Sequence, residues 1–183
     1  MKRLLAGQAL LVLCCIFYSL WWYRGFRPRT NVNRIGGVNG ILLLVTMALG
    51  IGGVALSLLP IPAVKQAKAG APAIVMAGII AYVAALLITK LCFKRIVTTE
   101  LMLIIGWAVL EMVVICRLEA AGFLGGGRFA CMCIVIAAAV MVSLILYVAY
   151  YRMEEMKAFF AAMVPLATEA AAMVILIVMV LIQ

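Results

Sequence analysis

Apolar positions along this chain fall into long runs separated by short polar connections. Six runs approach or exceed the ~20 residues a helix needs to cross a hydrocarbon core about 30 Å thick. They are Leu4–Tyr23, Val38–Pro60, Pro72–Thr89, Leu101–Cys116, Phe129–Tyr150 and Phe159–Ile182. The fourth is the shortest and carries a charge. The longest connection has about 14 residues, which leaves no room for a soluble domain. The pattern predicts an all-α fold: a polytopic bundle of six transmembrane helices with short loops, forming one integral membrane unit over residues 1–183. The first run ends in Trp21-Trp22-Tyr23, followed by Arg24 rather than by a small-residue cleavage site. It is therefore expected to stay as a span whose end sits in the aromatic belt at the membrane interface.

Composition sharpens the class. The 183 residues are 69% hydrophobic and 11% charged, with a mean hydropathy of +1.31. Soluble domains are about 45–50% apolar and about 25% charged, so no water-soluble fold could bury this much apolar surface. The formal charge of +9 would suit a nucleic-acid partner, but its distribution argues against one. The basic residues lie in connections or at span ends. Lys2, Arg3, Lys65, Lys68, Arg117 and Arg128 fall on one side of the membrane. Arg24, Arg27, Arg29, Arg34, Lys90, Lys94, Arg95, Arg152 and Lys157 fall on the other. The positive-inside rule favours the second side as cytoplasmic, with both termini outside. Compact size and short loops suggest a multi-pass protein of a bacterial inner membrane.

Absent residues narrow the chemistry. There is no His and no Asp; the six acids are Glu100, Glu111, Glu119, Glu154, Glu155 and Glu169. A Ser–His dyad or a His-bearing zinc site cannot be built, nor can Asp-based intramembrane chemistry. No enzymatic activity, cofactor or metal is expected. Six cysteines lie mostly within or at the edges of spans, where a thiol packs as a small apolar group. Cys14-Cys15, and Cys131 with Cys133, could bind a soft metal. Vicinal membrane thiols of this kind resemble those of mercury-uptake proteins, a likeness two residues long.

Helices in lipid associate through small residues that let backbones approach. Ala73, Ala77, Ala81 and Ala85 form such a stripe on the third span; Ala48/Gly52, Gly53/Ser57 and Ala167/Ala171 are shorter versions. All are expected to be helix contacts.

Two acids stand inside spans. Placing an ionised carboxylate at the bilayer centre costs about 2.5–3.5 kcal/mol on insertion scales. Glu111 and Glu169 must therefore face the protein interior, be protonated or be paired, with Lys90 or Arg117 as candidate partners for Glu169. At about 100° per residue, Glu100, Ile104, Trp107 and Glu111 share one helix face. A ring one turn from a buried acid suits an organic cation. A membrane Glu used in this way resembles small multidrug exporters. Glu100 is more simply explained as a helix N-terminal residue after Thr98-Thr99. Pro165, four residues before Glu169, should kink the sixth span and free the Ala161 carbonyl. Gln8, Thr46 and Tyr82 could line a pathway or bond across helices. Arg24, Arg27, Arg29 and Arg34 in the first loop could contact lipid headgroups or a phosphate.

Glu111, Glu169, Trp107, Tyr82 and Gln8 are thus the expected substrate- or ion-binding residues. The first expectation is a small permease, proton- or cation-coupled through its glutamates. Its partners would be the bilayer and a small-molecule or cationic substrate, with no nucleic acid. The alternative is a substrate-binding or structural subunit of a larger transporter, or a homo-oligomer. Six spans in about 180 residues resembles, in size and span count, the S-components of energy-coupling-factor vitamin importers. That likeness implies a partner subunit seated on an Ala-rich face.

Overall fold

A computed structural model describes residues 2–28, 36–58, 70–92, 99–150 and 152–182. These residues form seven helices and no strand: α1 (Lys2–Phe26), α2 (Val38–Leu58), α3 (Gly70–Cys92), α4 (Thr99–Ala120), α5 (Gly126–Tyr150), α6 (Glu155–Ala161) and α7 (Val164–Leu181). Helices α1, α2, α4 and α5, and α6 with α7 taken together, give five stretches long and apolar enough to cross a membrane. Helix α3 is apolar over Ala73–Ile88. The all-α bundle read from the hydropathy pattern is thus observed, with five stretches of spanning length among the described residues where six spans were expected; the third, Pro72–Thr89, is represented by the shorter apolar Ala73–Ile88.

Helix α1 packs on α2 and α7, α7 on α5, α5 on α4, and α4 on α3. The core lies between α1, α4, α5 and α7, where Leu4, Val114, Ile115, Met132, Met173 and Leu176 are sealed from the surface. Arginines tie helix ends together at one side of the bundle. Arg117 Nη1 donates to the Leu58 carbonyl at the end of α2 (2.9 Å), and Arg128 Nη1 to the Met179 carbonyl near the end of α7 (3.4 Å). Each satisfies a carbonyl that a helix C-terminus leaves without a partner. Helix α4 runs past the expected Cys116 to Ala120, then stops at Gly122 with φ +77°. There Phe123 N–H reaches the Leu118 carbonyl and Gly122 N–H the Glu119 carbonyl, a Schellman closure that favours glycine at its left-handed position.

Three packing expectations change. The sixth run is two helices rather than one kinked span, because the chain breaks at Ala162-Met163 and Pro165 opens α7. A proline lacks the N–H that would continue the α6 ladder but fits the first turn of a new helix. Ala73, Ala77 and Ala81 face outward, and α3 meets α4 along Ile74, Gly78 and Tyr82 instead, with Gly78 pressed against Val109. Ala48, Ala167 and Ala171 are also exposed. Gly53 and Ser57, by contrast, do form a seam: a Cβ on Gly7 of α1 would lie 2.6 Å from Ser57 Oγ and 2.9 Å from the Gly53 carbonyl oxygen.

Candidate functional site

The inner face of α1 runs Leu4, Gln8, Leu11, Cys15, Tyr18 and Trp22, in steps of four and three residues. That spacing holds one line of a helix against its neighbours. On α4 the buried line is Leu101, Ile104, Trp107, Glu111, Ile115 and Leu118, so the face inferred from 100° steps is the one turned inward. Side-chain placement of Glu100 lies outside the described residues. On α5 the line is Met132, Ile136, Ala139, Ser143 and Tyr147. On α7 it is Glu169, Ala172, Met173, Leu176 and Val180.

Where these lines meet, polar groups gather in an apolar interior. Glu111 is 1% exposed, Glu169 6% and Gln8 fully buried. The Gln8 amide faces the Glu111 carboxyl at the edge of hydrogen-bonding reach, and neither group has another partner among the described residues. Trp107 Nε1 and Ser143 Oγ are buried without a partner among the described residues. Glu169 lies within electrostatic reach of Glu111, and the Cys15 thiol within reach of both. No ion pair reaches either acid among the described residues. The pair that does form, Lys157 Nζ to Glu154 (3.0 Å), is exposed on the segment around α6. Lys90 is exposed and Arg117 is engaged with α2, so neither neutralises Glu111 or Glu169. A buried carboxyl without a cation is cheapest as the neutral acid.

Beside this centre, a cavity of about 70 Å³ is bounded by α1, α4, α5 and the α6–α7 break. Glu169 supplies its acid, Tyr18, Trp22, Tyr147 and Tyr150 its rings, and Pro165 part of its wall. A second, outer cavity of about 300 Å³ also borders Trp22 and Tyr150, and there Glu155 supplies the acid. Trp22 is held by stacking on Phe26 (centroids 4.3 Å apart) and by Nε1 donating to the Phe159 carbonyl at 3.4 Å.

The structure therefore brings together Gln8, Trp107, Glu111 and Glu169. It separates Tyr82, which lies on the α3–α4 contact. Val109, the α4 residue at that contact, is about 160° around the helix from both Trp107 and Glu111. Trp107 packs in the closed core, and the rings beside a carboxyl in the cavity come from α1 and α5 instead. Thr46 belongs to the α1–α2 seam, where it donates to the Leu42 carbonyl (2.8 Å) and its own carbonyl accepts from Cys14 Sγ (3.3 Å). Arg24 Nε donates to Asn39 Oδ1 (3.4 Å), and Arg27 lies over the Tyr23 ring, 5.5 Å from its centroid. Arg29 and Arg34 lie outside the described residues. Among the described residues no three Cys or Glu side chains converge as a metal cage.

Tyr18, Trp22, Tyr147 and Tyr150 were not singled out from the sequence as site residues. Trp22 reads there as interfacial belt, although Tyr18 and Trp22 at i, i+4, continuing the line of Gln8 and Cys15, carry the signal. Comparison with known protein families, with characterised proteins and with solved structures finds no match. Fold and site together define a polytopic membrane protein with a polar, acid-bearing interior.

Proposed function

We propose that this chain is a small membrane permease in which Glu111 and Glu169 carry a proton or a cationic solute past the middle of the bilayer. The observation that carries the reading is the buried Gln8 amide and Glu111 carboxyl, which face each other and have no other hydrogen-bond partner among the described residues, within electrostatic reach of Glu169 and its cavity. Each buried, unsatisfied polar group costs about 1–3 kcal/mol. A cost of this kind is retained where a group must be free to meet something that comes and goes. We infer a bacterial inner membrane as the setting.

The test is flux in liposomes containing the purified protein, with an imposed pH gradient followed by an internal dye. The native chain should dissipate the gradient. Glu111→Gln and Glu169→Gln should each slow this by at least about tenfold, a barrier change of roughly 1.4 kcal/mol, while unfolding at an unchanged temperature. Native rates in both variants would overturn the reading.

A second reading, a subunit of a larger transporter or a homo-oligomer, is favoured by one feature. Ala73, Ala77 and Ala81 of α3 are exposed among the described residues, and that face would let a neighbouring backbone approach closely. Glu111→Gln separates the readings. Transport is lost under the first, ligand binding survives if the chain captures substrate for a partner, and only stability falls if the acids merely bridge helices.

A further inference from the structure

The geometry points to a site for a small alkylammonium ion in the Glu169 cavity, reached from the outer cavity through a partition formed by Trp22 and Tyr150. This deepens the permease reading by naming its substrate class. The lining selects the chemistry. A hard metal ion needs six or more oxygen ligands, and among the described residues Glu169 is the one carboxyl bordering this space. An anion would meet that carboxyl with no basic side chain among the described lining residues. A neutral apolar ligand would leave the acid without a role. An alkylated ammonium matches both components: its charge faces Glu169, and its substituents lie against Tyr18, Trp22, Tyr147 and Tyr150, whose ring faces attract cations.

Size and access agree. A cavity of about 70 Å³ is several times the ~10–15 Å³ that admits one water, enough for a methylated head. The outer cavity of about 300 Å³ borders the same two rings, Trp22 and Tyr150, and carries Glu155. An acid at the mouth raises the local concentration of cations. The indole of Trp22 is held by stacking on Phe26 and by one long hydrogen bond to the Phe159 carbonyl, contacts that loosen when it swings aside. The α6–α7 break at Ala162-Met163 supplies the remaining wall, because both Ala161 and Pro165 border the cavity.

The experiment is calorimetric titration of tetramethylammonium chloride into the full-length protein in lipid nanodiscs, with potassium chloride at equal ionic strength as the control. The expected result is saturable one-to-one binding that potassium does not reproduce. Glu169→Gln should weaken it at least about tenfold, and Trp22→Leu roughly threefold to tenfold. Phe123→Leu, which removes an exposed ring at the α4–α5 turn that borders neither cavity, should leave it unchanged. If the Glu169 variant does not fold, Trp22→Leu read against Phe123→Leu decides. Absence of saturable heat, or equal affinity across all variants, overturns the site. Proton flux that depends on Glu111 without tetramethylammonium binding would leave the permease standing and remove this substrate class. Binding without flux would do the reverse.

Discussion

Helix α1 makes two contacts that handle polar groups in opposite ways. Against α2 the backbones close directly: Gly7 sits over Gly53 and Ser57, Cys14 donates to the Thr46 carbonyl, and Thr46 donates one turn back. Polar groups there are absorbed into helix–helix bonding, with the Ser57 hydroxyl as the exception, buried beneath Gly7. Against α4 and α7 the same helix turns Gln8, Cys15 and Trp22 toward two acids and a cavity, and the polar atoms of Gln8 and Glu111 have no partner beyond each other among the described residues. The first contact is a seam and the second is a chamber. In lipid, apolar contact offers little drive for association, so close glycine packing at the seam can hold α1 in place while the chamber stays incompletely satisfied.

The largest stability effect should come from breaking the seam. Gly7→Ala would set a Cβ 2.7 Å from the Ser57 backbone nitrogen and 2.9 Å from the Gly53 oxygen, neither of which can rotate away. Overpacking of this kind costs about 1–3 kcal/mol or more, and thermal unfolding in detergent should shift down accordingly. Gly52→Ala is the control. Its nearest neighbour would be Leu10 Cδ1 at 3.7 Å, and alanine in a helix interior gains roughly 0.5–1 kcal/mol over glycine, so the midpoint should hold or rise. Equal losses in both variants would mean the seam is not the clamp described.

A smaller pair separates the two contacts by sign. Ser143 is fully buried with its hydroxyl unpartnered among the described residues, so Ser143→Ala removes an unmet polar group and should raise stability by about 1 kcal/mol. Thr46→Ala removes a hydroxyl bonded to the Leu42 carbonyl at 2.8 Å and should lower stability by about 0.5–1.5 kcal/mol. Denaturant or thermal midpoints of the two variants moving in the same direction would contradict the contrast between seam and chamber.

Much of this was legible in the residues. Hydropathy alone marks the spans, since a run of about 20 apolar residues has few other uses. The inward face of α4 follows from the 100° step and a carboxyl that lipid will not tolerate. The orientation of α3 was not legible, because a helix apolar on all sides shows no polar face to lipid or to protein. The alanine stripe and the line through Gly78 differ by about one residue, or 100° of rotation, and only contact with Val109 distinguishes them. Pro165 signals a disturbance, but whether a span kinks or restarts depends on the turn around Ala162-Met163. The aromatic wall was hidden for another reason: Trp22 and Tyr150 stand at span ends, where interfacial anchoring explains a ring equally well. Their meeting is a tertiary fact set by how α1 and α5 both pack on α7.

The central claim is that Glu111 and Glu169 are buried acids held ready for a proton or cation rather than locked into packing. It is tested most directly with a hydrophobic carbodiimide, which attacks protonated carboxyls in apolar surroundings. The protein would be labelled between roughly pH 5 and 9 and mapped by mass spectrometry. The account predicts modification of Glu111 and Glu169 in preference to the exposed Glu119, Glu154 and Glu155, blocked by tetramethylammonium at Glu169. If neither buried acid labels at any pH while a water-soluble carbodiimide modifies Glu154 normally, both are sealed, and the permease account is contradicted.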